Sequence, residues 1–303
     1  MIRVLAADGM EASAVAALEA KGFEVVQKFY EPEELAEKVK EFDALVVRSA
    51  TKVRKPIVDA AVAGGRLRLV LRGGVGVDNI DVEYAEQNGI KVSNTPRASS
   101  ASVAELALGH MFAMARYISI ANVTMRNGEW NKKHYEGIEL GGKTLGLIGM
   151  GRISQEIAKR AVALGMKVVY TDIFEIPGLP AEYTSMSREE VLKNADFVSL
   201  HIPMPADKKP VITANELALM KPTAFIVNTA RGGLICEEAL CDALDADKLA
   251  GAALDVFAEE PTKNERLLKH PKVSVTPHIG GSTKEAQGRI GEELVELLTK
   301  FFA

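Results

Sequence analysis

The sequence predicts an α/β protein built from two parallel-sheet units. In residues 2–93, short runs rich in Val, Leu and Ile alternate with helical stretches, as parallel strands joined by covering helices do. The same alternation resumes at Thr144. A glycine turn between a strand and a helix opens this second stretch at residues 149–151. The chain of 303 residues is long enough for two domains.

The first predicted unit contains strands and helices in strict alternation. Its strands are short apolar runs, predicted at Ile2–Ala7, Glu24–Phe29, Ala44–Arg48, Arg68–Arg72 and Lys91–Ser93. Its helices are predicted near Met10–Lys21, Pro32–Glu41, Pro56–Ala63 and Val82–Asn88. This alternation favours a parallel sheet with both faces covered.

A connector and an apolar helix separate the two predicted units. The connector NTPRASSASVAEL is rich in Pro, Ser and Asn, and either Ser99 or Ser102 is a suitable cap for the helix that follows. That helix, predicted at Val103–Met125, is apolar on nearly every side. It must therefore be buried, either in a core or against another subunit, and we expect a homodimer built on this part of the chain.

The second predicted unit repeats the alternation after a polar loop that carries the only Trp. Its predicted strands are Thr144–Ile148, Lys167–Thr171, Phe197–Leu200, Ala224–Val227, Ala252–Leu254 and Val273–Val275. Its predicted helices are one after Gly151, then Ser187–Asn194, Ala214–Met220, Glu237–Ala246 and a long amphipathic one at Thr283–Phe302. A second α/β unit follows from this pattern.

The stretch from Thr144 to Asp172 has the pattern of a dinucleotide site. Gly149 permits a tight turn after the strand, and Gly151 lets the backbone approach a pyrophosphate at the start of the helix. Asp172 ends the next strand, where a carboxylate accepts hydrogen bonds from a ribose and repels a 2′-phosphate. The pattern favours NAD over NADP, and the alternative is a packing turn without a ligand.

Three loops that follow predicted strands carry the residues suited to catalysis. Arg231 lies in NTARGG, Asp255, Glu259 and Glu260 lie in LDVFAEEP, and His278 lies in VTPHIGGST. In an open parallel sheet, ligands bind beyond the carboxyl ends of the strands, so these side chains should meet at one edge. The alternatives are a surface arginine, a solvated acidic turn and a loop histidine with ordinary partners.

An arginine, a carboxylate and a histidine together suit a 2-hydroxy acid. Arginine binds a carboxylate with two hydrogen bonds and polarises the neighbouring carbonyl. Histidine exchanges a proton with the C2 oxygen near neutral pH. One of the two glutamates, bonded to the far ring nitrogen, would fix the tautomer and stabilise the charged ring. Four other histidines, His110, His134, His201 and His270, are expected to have ordinary structural roles, although His201 ends a strand near the cofactor.

The composition limits the classes of partner. A net charge of −4 gives no general attraction to nucleic acid or to an anionic membrane. No apolar run reaches the length of a membrane span, and the polar start is not a signal peptide. Cys236 and Cys241 lie five positions apart on a predicted helix, so they do not share a face for pairing or for binding a metal. We therefore expect no metal site and a reducing cytoplasm.

The motifs together resemble those of the D-isomer-specific 2-hydroxyacid dehydrogenase family. They are GVGVDNID, NTP…SVAEL, GMGRIS…TD, SLHIP, NTARGG, ALDVFAEEP and PHIGGSTKEAQ, and they cover nearly the whole chain. The resemblance implies two Rossmann-like or flavodoxin-like parallel-sheet domains with a cleft between them. It implies an NAD domain at residues 97–284 inserted into a substrate domain at residues 1–96 and 285–303.

The resemblance also implies a set of site residues. It assigns the catalytic roles to Arg231, Glu260 and His278. The implied NAD contacts are Val75, Gly149, Gly151, Arg152, Ile153, Asp172, His201, Ile202, Pro203, Thr229, Ala230, Asp255, Gly280 and Gly281. The implied substrate contacts are Arg48, Ser49, Lys52, Arg72, Gly74, Val75, Gly76 and Asn79.

Within the family, VVRSATKV, RGGVGVDNID and GSTKEAQ are similar to the branch that oxidises 3-phospho-D-glycerate with NAD in serine synthesis. A phosphate far from the reacting carbon needs cations, and Arg48, Lys52 and Arg72 follow predicted strands. Lys132 and Lys133 are expected to reach the substrate of a neighbouring subunit. The alternatives are a hydroxypyruvate or glyoxylate reductase, a D-lactate dehydrogenase and, more remotely, an NAD-sensing corepressor that is not an enzyme.

The chain departs from the family pattern at three positions. Ser154 stands where the third glycine of the turn motif is expected, and its small size should preserve close packing. Ser99 lies where relatives usually have an asparagine, and Cys236 replaces a usual aspartate. We expect these departures to alter affinity rather than remove activity. Because the sequence ends after the long helix, we also expect no C-terminal regulatory domain and no feedback through one.

Overall fold

The structure is a computed structural model that describes residues 1–303. Its chain divides into two compact units. The split unit comprises Met1–Ser99 and Gly281–Ala303, and the continuous unit comprises Ser100–Gly280. None of the helices combines the length and apolarity that crossing a membrane requires. That the split unit holds substrate stays a prediction.

The secondary structure alternates along the whole chain. The strands are β1 (Ile2–Ala6), β2 (Phe23–Gln27), β3 (Ala44–Val47), β4 (Leu69–Arg72), β5 (Lys91–Asn94), β6 (Thr144–Ile148), β7 (Lys167–Thr171), β8 (Thr184–Ser185), β9 (Phe197–Leu200), β10 (Phe225–Asn228), β11 (Gly251–Leu254) and β12 (Val273–Val275). The α-helices are α1 (Ala12–Glu19), α2 (Pro32–Lys38), α3 (Lys55–Gly64), α4 (Val82–Gln87), α5 (Ser100–Ala115), α6 (Ile118–Arg126), α7 (Arg152–Ala163), α8 (Arg188–Asn194), α9 (Ala214–Leu217), α10 (Glu237–Asp245), α11 (Glu265–Leu268) and α12 (Lys284–Phe302). Short 3-10 turns lie at Val39–Glu41 and Lys132–His134.

The split unit is a five-stranded parallel sheet in the order β2-β1-β3-β4-β5. Its central strand β3 is wholly buried, and successive side chains point to opposite faces. Leu45 and Val47 pack in one apolar cluster, whereas Ala44 and Val46 pack in another together with Leu294 of α12. The sheet is therefore covered on both faces, as the sequence predicts.

The continuous unit is a seven-stranded parallel sheet in the order β12-β11-β10-β9-β6-β7-β8. The chain runs outward from β6 through β7 to β8, then returns to β9 on the other side of β6. Ligands of such sheets bind beyond the carboxyl ends of the strands at this reversal. The edge strand β8 was not predicted, because two residues are too short to carry a periodic pattern.

The predicted single helix Val103–Met125 is wrong, because the structure has two helices there. α5 ends at Ala115, and Tyr117 takes a left-handed conformation with φ 55° before α6 begins. The amide of Ile138 donates to the Ala115 carbonyl at 2.9 Å, so the following loop satisfies the end of α5. α5 is largely buried, as predicted, whereas α6 has no buried residue.

Candidate active site

The glycine turn after β6 has the geometry that a dinucleotide requires. Gly149 has φ +87°, and a Cβ there would lie 2.6 Å from the carbonyl oxygen of His201, so only glycine fits. Gly151 caps α7, and a Cβ there would meet no protein atom. The open space faces the free N–H groups of a twelve-residue helix, which suits a pyrophosphate.

Ser154 maintains the packing that the third glycine of the motif usually provides. Its side chain is fully buried, and its Oγ donates to the carbonyl oxygen of Gly149 at 2.5 Å. The serine therefore fits between helix and sheet and also satisfies a carbonyl of the turn. Its effect on NAD affinity stays a prediction.

Asp172 lies beside the same turn. One carboxylate oxygen accepts from the amide of Met150 at 2.6 Å, and the other accepts from the amide of Phe174 at 3.0 Å. Each carboxylate oxygen has a second lone pair, so these two bonds leave acceptor capacity for a ribose. Arg152 is exposed and Ile153 is partly buried at the start of α7.

The ends of β9 and β10 contain buried polar atoms without a protein partner. They are Nδ1 of His201 and the hydroxyl oxygen of Thr229. Burial lowers the pKa of His201 to about 3, so its ring is neutral, and its Nε2 contacts the Ser199 hydroxyl at 2.8 Å. A buried polar atom left unpaired typically costs about 1–3 kcal/mol, which a ligand at this edge would recover. The residues present therefore fit a bound dinucleotide.

The loop after β10 fixes the backbone around Arg231. The side chain of Asn228 donates to the Arg231 carbonyl at 2.8 Å and accepts from the Ala230 amide at 3.1 Å. A Cβ on Gly232 would lie only 1.6 Å from the carbonyl oxygen of Phe257. The Arg231 loop therefore packs backbone to backbone against the loop that leads to Glu260.

Glu260 and His278 form a direct pair. Oε2 of Glu260 lies 2.7 Å from Nδ1 of His278, and its Oε1 accepts from the Phe257 amide at 3.1 Å. Of the two glutamates, it is therefore Glu260 that contacts the histidine. With Nδ1 engaged, Nε2 is the ring nitrogen left for a substrate oxygen. His278 has φ 53°, a left-handed conformation that is uncommon for residues other than glycine.

Asp255 anchors the loop that carries His278. It is 1% exposed, and its carboxylate accepts from the Thr276 hydroxyl at 2.6 Å and from the amides of Ile279 and Gly280, each at 2.8 Å. The family resemblance implies a contact between Asp255 and NAD, and that role stays a prediction. The structure gives it a second role, because it fixes the backbone on the far side of His278.

In the split unit, an aspartate that sequence reasoning missed organises the loop after β3. Asp8 accepts from the Arg48 amide at 2.6 Å and from the Thr51 hydroxyl at 2.6 Å. Asn79 donates to the carbonyls of Arg48 and Thr51 at 2.8 and 2.7 Å, so it holds the same loop. Asp8 lies just beyond β1, and its position at a strand end was the available signal.

Arg72, the last residue of β4, lies against the glycines that follow it. Its guanidinium donates to the Ser49 hydroxyl at 3.1 Å. Gly74 has φ 150°, and a Cβ there would lie 1.6 Å from Nη1 of Arg72, so the guanidinium requires glycine beneath it. Lys52 is exposed in the neighbouring loop, next to Val53, whose amide donates to the Asn79 carbonyl at 2.8 Å.

The remaining predicted contacts lie on the same strand-end loops, except for two lysines. The carbonyl of Val75 accepts from the Asn94 side-chain amide, and a Cβ on Gly280 would lie 3.1 Å from Oδ2 of Asp255. The carbonyl of Gly281 accepts from the Gln287 side chain at 2.9 Å, and Ile202 packs against the apolar core of the continuous unit. Gly76 and Pro203 also lie on these loops. Lys132 and Lys133 are exposed in a 3-10 turn, and their contact with a neighbouring subunit stays a prediction.

The doubly wound sheet, the glycine turn and the strand-end loops define a dinucleotide-dependent oxidoreductase. A sequence profile of the D-isomer specific 2-hydroxyacid dehydrogenase NAD binding domain matches residues 108–280. The chain belongs to this family, and its cofactor is NAD.

Two relatives and one solved structure indicate the range of the family. The hydroxypyruvate reductase of Thermotoga maritima is 49% identical over 91% of this chain and 90% of its own. The D-3-phosphoglycerate dehydrogenase of Methanocaldococcus jannaschii is 47% identical over 99% of this chain, which spans 57% of that protein. A glyoxylate reductase from Paecilomyes thermophila superposes with a TM-score of 0.90 at 31% identity, covering 99% of this chain and 94% of that one.

Proposed function

We propose that the chain oxidises 3-phospho-D-glycerate to 3-phosphohydroxypyruvate with NAD. The observation that carries the proposal is a set of cations in the split unit. Arg48 and Lys52 follow β3, and Arg72 ends the adjacent strand β4. Three cations on adjoining loops suit a doubly charged phosphate better than a small uncharged group. The relative from M. jannaschii, which is named for this substrate, supports the choice.

The loop that bears these cations is held in place from within its own unit. Asp8 and Asn79 fix the backbone of residues 48–51, and the Ser49 hydroxyl accepts from Arg72. We propose that Arg48 and Arg72 bind phosphate oxygens through charge-assisted hydrogen bonds, with Lys52 adding charge. Each such bond is worth about 1.5–3 kcal/mol.

The chemical step falls to three residues of the continuous unit. Nε2 of His278 takes the proton of the C2 hydroxyl, and Glu260 stabilises the imidazolium through Nδ1. Bound NAD supplies the acceptor for the hydride that leaves C2. Arg231 holds the substrate carboxylate and the C2 oxygen as the carbonyl forms.

The second candidate is reduction of hydroxypyruvate or glyoxylate. The T. maritima relative favours it, since it is named a hydroxypyruvate reductase and is 49% identical. This reaction uses the same Arg231, Glu260 and His278, with the proton and hydride moving in the opposite direction. It needs no phosphate contacts, so the split unit distinguishes the two candidates.

Steady-state kinetics on matched substrates separates them. The wild type is assayed with 3-phosphoglycerate and NAD, and with hydroxypyruvate and NADH. Replacing Arg48 and Lys52 together by Gln should lower kcat/KM for the phosphorylated substrate by about a hundredfold, and by less than about threefold for hydroxypyruvate. The control is Lys91→Gln, which removes an exposed cation from the first residue of β5, at the end of the strand away from the proposed site. An equal loss on both substrates, or hydroxypyruvate as the better substrate of the wild type, would reject the first candidate.

We further infer a cytoplasmic homodimer that acts in serine synthesis. Its exposed apolar helix α6 presents Ile118, Val123 and Met125, each about half exposed. Such a face on a surface helix suits contact with a second copy. The two cysteines are both free, which fits a reducing compartment. Sedimentation should give twice the mass of the chain, and a monomer would reject the dimer.

A further inference from the structure

His110 lies in a buried hydrogen-bond network that neither the fold nor the proposed reaction explains. The ring is on α5 and only 4% exposed. Its Nδ1 lies 3.0 Å from the Ser274 hydroxyl of β12, and its Nε2 lies 2.9 Å from the Thr276 hydroxyl beyond that strand. Packing alone does not require a histidine bonded to two hydroxyls, because an apolar side chain would fill the same space.

The hydrogen positions in this network follow from the protons available. Thr276 has one hydroxyl proton, which it donates to Asp255 at 2.6 Å. Towards His110 it can therefore only accept, so Nε2 must carry a hydrogen. Burial lowers the pKa of His110, so the ring is neutral and Nδ1 is an acceptor. Ser274 must then donate to Nδ1.

One further contact extends the chain of donors. The Ser119 hydroxyl of α6 lies 3.4 Å from that of Ser274, whose proton is already directed at His110. The donors therefore all point the same way, from Ser119 through Ser274, His110 and Thr276 to Asp255. Asp255 in turn accepts from the amides on the far side of His278.

We propose that His110 is a positioning residue for the His278 loop, acting through Thr276 and Asp255. The inference rests on the proposed role of His278 in proton transfer. A neutral ring that donates to Thr276 fixes the direction of the Thr276 hydroxyl, which fixes Asp255. The loop is thereby held to the distances that proton transfer requires.

Two substitutions at position 110 separate positioning from packing. The amide nitrogen of Gln reaches the place of Nε2 and can donate to Thr276. Asn is shorter and reaches only the place of Nδ1, so it contacts Ser274 alone. If positioning runs through Thr276, His110→Gln should retain kcat within about threefold, whereas His110→Asn should lose about tenfold with KM for substrate unchanged. His270→Gln, a partly buried histidine bonded to Asp245 and the Lys272 amide, is the control.

The same comparison is made at the neighbouring hydroxyl. Thr276→Val keeps the shape and removes both hydrogen bonds, so it should match His110→Asn, whereas Thr276→Ser should restore kcat. The proposal would be overturned if His110→Gln and His110→Asn lost kcat equally. It would also be overturned if kcat were unchanged in His110→Asn and Thr276→Val.

Two measurements test the hydrogen positions and the rigidity of the His278 loop independently of activity. The nitrogen signals of His110 in the intact protein should report hydrogen on Nε2 and an unprotonated Nδ1 at pH 7. Amide exchange at Ile279 and Gly280 should accelerate in His110→Asn but not in His110→Gln. The opposite tautomer, or equal exchange in both variants, would overturn the proposal. If the wild type oxidised none of the 2-hydroxy acids, the proposed function would be rejected. The nitrogen signals and the amide exchange would still test whether His110 positions the His278 loop.

Discussion

The two units organise one loop each in the same way, around an aspartate just beyond a strand. In the split unit, Asp8 accepts from the hydroxyl of Thr51 and from the amides of the Arg48 loop. In the continuous unit, Asp255 accepts from the hydroxyl of Thr276 and from two amides of the His278 loop. Each aspartate follows one strand and anchors the loop that follows another.

The two anchors differ in how deeply they are enclosed. Asp255 is 1% exposed, and its partner Thr276 contacts the buried ring of His110, whereas Asp8 lies in partly open surroundings. Proton transfer depends steeply on the distance between donor and acceptor, whereas attraction between charges falls gradually with distance. A rigid anchor for His278 and a looser one for Arg48 match the chemistry proposed for each loop.

The largest expected effect is the loss of His278. His278→Ala should lower kcat by about 10²–10⁴, because no other group replaces its proton transfer. NADH affinity, measured by fluorescence titration, should change by less than about threefold, because the glycine turn is untouched. His134→Ala, at an exposed histidine of the same unit, is the control. Unchanged turnover in His278→Ala would contradict the role assigned to the His278 loop.

Exchanging each anchoring carboxylate for an amide tests the comparison directly. In Asp255→Asn the new NH₂ group faces backbone N–H groups, and at least one charge-assisted hydrogen bond worth about 1.5–3 kcal/mol is lost. We expect a fall in unfolding free energy of that size together with a fall in kcat. Asp8→Asn should lose less stability, since water reaches the site, and should raise KM for the phosphorylated substrate while leaving kcat unchanged.

Denaturant unfolding and steady-state kinetics on both variants provide the measurement. A similar loss of kcat in the two variants would show that the anchors do not differ in role. A larger loss of stability in Asp8→Asn would show that enclosure does not set the strength of the anchor.

The sequence predicted the residues that lie at strand ends better than the contacts that hold them. Arg231, Glu260 and His278 follow apolar runs, and the rule for parallel sheets places such residues at one edge. The pairing of Glu260 with His278 confirms that one of the two glutamates contacts the histidine. Neither observation tests the catalytic roles, which stay predictions.

The supporting contacts were missed because they join residues far apart in the chain. Asp8 and Arg48 are 40 positions apart, and His110 and Thr276 are 166 apart, so no local pattern connects either pair. The break at Tyr117 was missed for a related reason. The apolar pattern continues through it, and the loop that satisfies the end of α5 lies beyond residue 130.

Acid should distinguish the two units, because all five histidines lie in the continuous unit. Burial lowers the pKa of His201 from 6.5 to about 3 and also lowers the pKa of His110. The unfolded chain therefore binds protons that the folded unit rejects, so stability is full above pH 6.5 and falls as the pH drops towards 3. Each histidine contributes at most about 1.4 kcal/mol per pH unit.

Hydrogen exchange followed separately in the two units at pH 7, 6 and 5 checks this expectation. The continuous unit should lose protection, whereas the split unit should lose less, because it contains no histidine. His201→Gln keeps a group able to contact Ser199 and should make the protection of the continuous unit depend less steeply on pH. Equal losses in the two units would show that the buried histidines do not govern acid stability.

The smallest expected effect concerns a third loop, where an anchoring side chain is missing. Cys236 precedes α10 in an extended conformation and makes no capping hydrogen bond. Cys236→Ser supplies a hydroxyl that accepts from the first turn of the helix without adding charge beside Glu237. It should raise the unfolding free energy by about 1 kcal/mol relative to Cys236→Ala, which cannot cap. Kinetics should not change, because the helix start lies outside the proposed chemistry. Equal stability of the Ser and Ala variants would mean that a side-chain hydrogen bond to the first turn of α10 does not stabilise this helix.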